Sequence, residues 1–234
     1  MSCLENRAGP GQFRDYRVII MRETRSRACC CGILWTPLIC LSLVGSLEAG
    51  KFNAVLDIGQ KAPAWEGLRG VDGKRHSLTD LKTSRAVVLV FMSNRCPMTR
   101  AYEGRLKKLA ARHRKQGLAV VGVSVGRSRA DRLDKMIARA AKSQFGFPYL
   151  IDPTQQIGRK YGANCTPQVF LLDASRRVAY MGAIDDNMDP DKVEFHYLAD
   201  AVHNVLAGKS PDVIETLQKG CEIKYARTAS SGME

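Results

Sequence analysis

Cys96 stands between a strand-like run, Ala86 to Met92 (AVVLVFM), and an amphipathic stretch that opens on Pro97. A cysteine at such a strand-to-helix junction faces unpaired backbone N–H groups and the positive end of the helix dipole, both of which favour thiolate over thiol. Arg95 and Arg100 add positive charge nearby. The thiolate is the nucleophile, so the chemistry on offer is attack on a disulfide or a peroxide, giving a mixed disulfide or a sulfenic acid. A second thiol would then complete the cycle. Of the 8 cysteines, Cys3, Cys29, Cys30, Cys31 and Cys40 lie within residues 1–50, which leaves Cys96, Cys165 and Cys221. Three is odd, so they cannot all pair with one another.

The elements that must position Cys96 follow from the apolar pattern. Seven consecutive apolar residues of strand length read as a strand buried on both faces. Met98, Tyr102, Leu106, Leu109 and His113 then recur at helical spacing, with Pro97 suited to the first turn and Gly117 to the stop. Leu118 to Val125 is a second apolar strand, and strand, helix, strand with short connections predicts a right-handed βαβ unit in a parallel sheet. A helix is predicted over 129–144, a brief apolar stretch over 147–151 and a short helix over 154–161. Thr166-Pro167 leads into a strand over 169–173, a turn at Ser175 and Arg176 and a strand over 178–181, which together make an antiparallel hairpin. Proline at the entry to a central strand is awkward unless it marks a special turn, so a cis Thr166–Pro167 bond is expected. A turn at Asp185-Asp186-Asn187, with capping by Asp189, precedes a final helix from about Asp191 to Leu206. From Gly208 the chain reads as an extended tail, with residues 226–234 disordered.

Length and composition bound the rest. A chain of 234 residues with 45% hydrophobic and 25% charged content is a globular mixture, large enough for a core without disulfide staples. The net charge of +13 is spread along the chain, and no recognition motif accompanies it, so nucleic acid is not an expected partner. Residues 28–47 carry no charge and follow Arg22, Arg25 and Arg27, the order of a secretory signal. This run is either cleaved or kept as a membrane anchor, and both readings place the remaining domain outside the cytoplasm, where disulfides persist. Met21 begins a more conventional signal than Met1 does. His76, His113, His196 and His203 are not spaced as a ligand set, and neither a metal nor a cofactor is expected.

The segments GQKAPAW, VVLVFMSNRCPMTRAYEGRL, FPYLIDPTQQIGRKYGANCTPQVFLLD, YMGAIDDN and GCEIKY together resemble the thioredoxin superfamily. In particular they resemble the peroxiredoxin-like redoxins of the alkyl hydroperoxide reductase and thiol-specific antioxidant group, over about residues 55–225. The resemblance implies a thioredoxin-like three-layer α/β/α fold with a central mixed sheet in a domain spanning 51–225, after a leader over 1–50. It implies that Cys96 is the attacking cysteine and that Pro167 is the cis-proline facing it, with Ser93, Arg95, Pro97, Thr99 and Thr166 as support. Thr99 stands where thioredoxins place the second cysteine of CxxC, and Leu89 replaces the proline at the head of the peroxiredoxin motif. No arginine near Pro167 matches the one that peroxiredoxins set over the peroxide. Cys165, two residues before Pro167, is then the expected resolving thiol, or else a half-buried spectator. Cys221 resolves only if the tail folds back. The expected activity is thiol–disulfide exchange, with a disulfide or peroxide as substrate and an external thiol as reductant. A peroxidase, and a redox-inactive binding module built on the same fold, are the alternatives.

Overall fold

The computed structural model describes residues 50–227; residues 1–49, nearly all of the expected leader, and 228–234 lie outside the described part. In chain order the regular elements are β1 (Leu68–Gly70), β2 (Arg75–His76), β3 (Ala86–Met92), α1 (Pro97–His113), β4 (Leu118–Ser124), α2 (Leu133–Ser143) and β5 (Tyr149–Ile151). They continue as α3 (Gln156–Lys160), β6 (Cys165–Thr166), β7 (Gln168–Leu172), β8 (Val178–Gly182), α4 (Tyr197–Leu206) and β9 (Cys221–Glu222). Among the described residues no helix is long and apolar enough to cross a membrane.

Seven strands form one mixed sheet in the order β2-β1-β5-β4-β3-β7-β8. β3, β4 and β5 run parallel, while β7 is antiparallel to β3, β8 to β7, and β1 to both β2 and β5. β3 is central and every residue in it is buried, which is why its sequence does not alternate. Its side chains still divide by the period of two. Val87, Leu89 and Phe91 face a cluster containing Tyr161, Phe170 and Ile223, whereas Val88, Val90 and Met92 face Leu106 of α1, Met136 of α2 and Val202 of α4. Helices α1, α2 and α4 thus cover one face. α3, a single helical turn at Leu78–Leu81 and the extended ends of the domain cover the other. The layers fix where β3 stops and α1 starts, and so where Cys96 is held.

Three expectations are corrected. The helix predicted over 129–144 divides into a turn at Arg129–Asp131 and α2, with Arg132 extended between them at φ −67° and ψ 149°. Asp131 is drawn inward there, for a reason the site supplies. The final helix begins at Tyr197 and not near Asp191, because Pro190–Lys192 makes one isolated turn, capped as expected by Asp189. The carboxylate of Asp186 then accepts the N–H groups of Glu194 and Phe195 and keeps that stretch from coiling. Finally, the chain after Gly208 is not a loose tail. The Met181 N–H donates to the Ile214 carbonyl at 3.1 Å and the Thr216 N–H to the Met181 carbonyl at 3.1 Å, so this segment runs along the edge strand β8. Gln218 is buried and donates to Asn164 at 2.8 Å, β9 pairs with β6, and the Tyr225 hydroxyl donates to the Ala163 carbonyl at 2.6 Å. Even Ala226 is tied down, its N–H donating to Gln155 Oε1 at 2.8 Å.

Candidate active site

Cys96 is the N-cap of α1. Its backbone is extended, at φ −76° and ψ 118°, and Pro97 follows with its ring-locked φ and no N–H to orphan. Thr99, at the third helical position, sends its N–H to the Cys96 sulfur at 3.4 Å, the bond that a serine or aspartate would accept at an ordinary helix start. On its other side the Cys96 thiol donates to the Thr166 carbonyl at 2.9 Å. Thr166–Pro167 is a cis peptide, and Thr166 is buried. Cys96 itself is only 1% exposed, because the returning C-terminal segment lies across it.

That segment brings the third cysteine to the site. β9 pairs antiparallel with β6 so that Thr166 stands opposite Cys221 and Cys165 opposite Glu222. The approach is close: a Cβ on Gly220 would lie 2.3 Å from the Thr166 carbonyl oxygen and 3.2 Å from the Cys165 sulfur. Both the thiol and the backbone N–H of Cys221 reach the Cys96 sulfur as hydrogen-bond partners. Cys165 is fully buried, its sulfur against Gly220. The tail therefore does fold back across the site. Backbone pairing, a glycine at the crossing and the burial of Ile223 in the core fasten it.

The charge balance at Cys96 has a different origin from the one its neighbours suggest. Burial pushes the thiol pKa up, but the Cys221 thiol, the Thr99 N–H, the Thr166 side chain and the Cys221 N–H outweigh it, so the pKa falls below the ordinary thiol value. Neither arginine is among the hydrogen-bond partners of the sulfur. Arg100 donates to the Asn94 carbonyl through Nε at 3.3 Å and Nη2 at 3.1 Å, and Arg95 is exposed, with its backbone N–H on Ser93 Oγ at 3.2 Å. Iodoacetamide alkylation of Cys96 should therefore show an inflection below that of an ordinary thiol. In Cys221→Ala, which loses a donor to the sulfur, that inflection should move up. An unchanged profile would mean that backbone N–H groups alone set it.

Ser93 is the turn-former of the loop: its carbonyl accepts the Cys96 N–H at 3.1 Å, and its hydroxyl donates to Asp131 at 3.0 Å. Asp131, missing from the sequence expectation, is the hub of this loop. Its buried carboxylate also accepts the Asn94 N–H at 2.7 Å and the Ser128 hydroxyl at 2.6 Å. Gly126 leaves it room, since a Cβ there would sit 2.3 Å from Asp131 Oδ2. Ser128 and Asp131 look, in sequence, like a local cap, and nothing in their spacing points 38 residues back to Ser93. Among the described residues no group of three or more His, Cys, Asp or Glu side chains is placed to hold a metal.

Residues 58–181 match the AhpC/TSA family model, and the chain belongs to the AhpC/TSA family, with a thioredoxin-like fold. It is 28% identical over 121 residues to the thiol-disulfide oxidoreductase ResA of Geobacillus thermodenitrificans, a match covering 52% of this chain and 66% of that protein. A hypothetical protein from Sinorhizobium meliloti 1021 superposes with a TM-score of 0.65 at 34% identity, over 74% of this chain and 97% of the other. An uncharacterized conserved protein from Geobacillus kaustophilus superposes with a TM-score of 0.70 at 27% identity, over 76% of this chain and 96% of the other.

Proposed function

We propose that this thiol-dependent oxidoreductase works by thiol–disulfide exchange, with Cys96 as its nucleophile. The observation that carries the reading is the Cys96 sulfur itself, which caps α1, accepts the Thr99 N–H and lies against the Thr166 carbonyl of the cis Thr166–Pro167 edge. The Cys96 thiolate attacks one sulfur of a substrate disulfide, forming a Cys96–substrate disulfide and releasing the other substrate sulfur as a thiolate. A second thiolate then attacks the Cys96–substrate disulfide and frees the reduced substrate. The oxidised enzyme is returned by an external dithiol, which leaves as a disulfide. Ser93, Thr99, Thr166 and Pro167 position the sulfur and require no cofactor. The named relative ResA is a thiol-disulfide oxidoreductase, which supports the same assignment. The uncharged run over 28–47, behind three arginines, supports an exported domain, either released by cleavage or held at the membrane by that run.

Family membership favours a second reading, peroxide reduction, in which Cys96 attacks an O–O bond to give a sulfenic acid and an alcohol or water. Mass spectrometry separates the two. Stoichiometric oxidised glutathione should consume Cys96 within minutes, while a matched dose of hydrogen peroxide should leave Cys96 as thiol over the same interval. Faster loss to peroxide than to the disulfide would reverse the order.

A further inference from the structure

We propose that Cys221, on the strand that closes over the site, is the resolving thiol, and that the catalytic cycle passes through an intramolecular Cys96–Cys221 disulfide. The proposal rests on Cys96 being the nucleophile and names its partner. Its ground is placement. β6 presents Thr166 to both cysteines: the Cys96 thiol donates to the Thr166 carbonyl at 2.9 Å, and Cys221 is the direct cross-strand partner of Thr166. Antiparallel partners have Cα atoms about 4.5–5.5 Å apart, so Cys221 arrives at the same peptide group that Cys96 touches. A disulfide needs Cα atoms within about 7 Å, which this arrangement suits.

Access separates Cys221 from the other candidate. Cys165 is 0% exposed and Cys96 1%, so a disulfide between them would bury both sulfurs from any reductant. Cys221 is partly exposed on a strand of two residues near the end of the described chain. Attack by an external thiolate on the Cys221 sulfur leaves Cys96 as the departing thiolate, and a low-pKa thiol is the better leaving group. The closed segment must also part from Cys96 to admit substrate. β9 is only two residues long, so little backbone pairing has to open there, although Gln218 and Ile223 on either side stay buried. Atoms balance at each step: the Cys221 thiolate attacks the Cys96 sulfur of the Cys96–substrate disulfide, the substrate leaves as thiolate, and one S–S bond forms as one breaks.

The test adds one equivalent of oxidised glutathione to the reduced full chain, quenches with acid and alkylating agent, and maps peptides under non-reducing conditions. The wild type should carry a Cys96–Cys221 crosslink and little bound glutathione, and Cys165→Ser should carry the same crosslink. Cys221→Ser should retain glutathione on Cys96, with multiple turnover slowed by roughly tenfold or more, since resolution becomes bimolecular. Cys221→Ala, read in parallel with a thermal melt, guards against a fold defect. A Cys96–Cys165 crosslink in the wild type, or normal clearance of glutathione in Cys221→Ser, would overturn the proposal. Glutathione kept on Cys96 in the wild type would also overturn it while leaving the nucleophile assignment intact. If no variant gains glutathione or a crosslink at Cys96, the thiol-exchange reading itself fails.

Discussion

Cys96→Ser should lose roughly a thousandfold or more in disulfide-exchange turnover while folding as well as the wild type, the scale of loss seen when a covalent nucleophile is removed. The two halves of this expectation have separate causes. A serine hydroxyl is among the best helix N-caps, and it can accept the Thr99 N–H where the sulfur does now, at 3.4 Å. The buried contact to the Thr166 carbonyl, 2.9 Å for the thiol, is also one that a hydroxyl can make. The melting temperature should therefore stay near that of the parent. Catalysis has no such substitute, because the hydroxyl stays protonated at neutral pH and the mixed disulfide cannot form. Turnover with a small aromatic disulfide, monitored by thiol release, gives the ratio. Retention of more than about a tenth of the parental rate would transfer the nucleophile role to Cys221, the thiol on the strand opposite Thr166.

Much of this arrangement is legible in the chain, for reasons tied to particular residues. The run at 86–92 reveals β3 because a strand buried on both faces has no polar alternation, and Pro97 reveals the start of α1 because proline is tolerated there and costly further in. The proline after Thr166 announces a special turn in a strand context, and the bond is cis. Two parts are hidden. β9 is two residues long, and its pairing with β6 rests on backbone groups that every residue carries, so GCEIKY shows no strand signal of its own. Asp131 is hidden by distance: its partners Ser93 and Asn94 come to it only after β4 has been laid beside β3, and its own neighbours resemble a helix cap. Arg100 is harder to place from sequence. Proximity in sequence puts its charge near the sulfur, but a long side chain follows the carbonyl acceptors within reach, and Arg100 finds Asn94.

Asp131→Ala should cost about 2–4 kcal/mol, because its carboxylate accepts from the Ser93 hydroxyl, the Asn94 N–H and the Ser128 hydroxyl in a site that is 2% exposed. For a domain of this size that corresponds to a fall in melting temperature of roughly 6–12 °C. The functional effect should exceed what destabilisation alone brings. Ser93 and Asn94 are the residues through which β3 turns toward Cys96, and the Ser93 carbonyl takes the Cys96 N–H at 3.1 Å. With the anchor gone, the sulfur no longer sits at the point where the Thr99 and Cys221 donors converge, and the Cys96 alkylation inflection should rise toward that of a free thiol. A control of similar cost resolves the two contributions. Leu198→Ala, on α4 and 1% exposed, should also lose about 2–5 kcal/mol through a core cavity, yet it touches none of the loop residues and should leave the inflection where it is. Asp131→Asn, which keeps one carbonyl acceptor for the Asn94 N–H, should fall between the parent and Asp131→Ala in both readings. If Asp131→Ala and Leu198→Ala lower stability equally and neither moves the inflection, Asp131 is a structural residue of the loop and has no hold on the reactivity of Cys96.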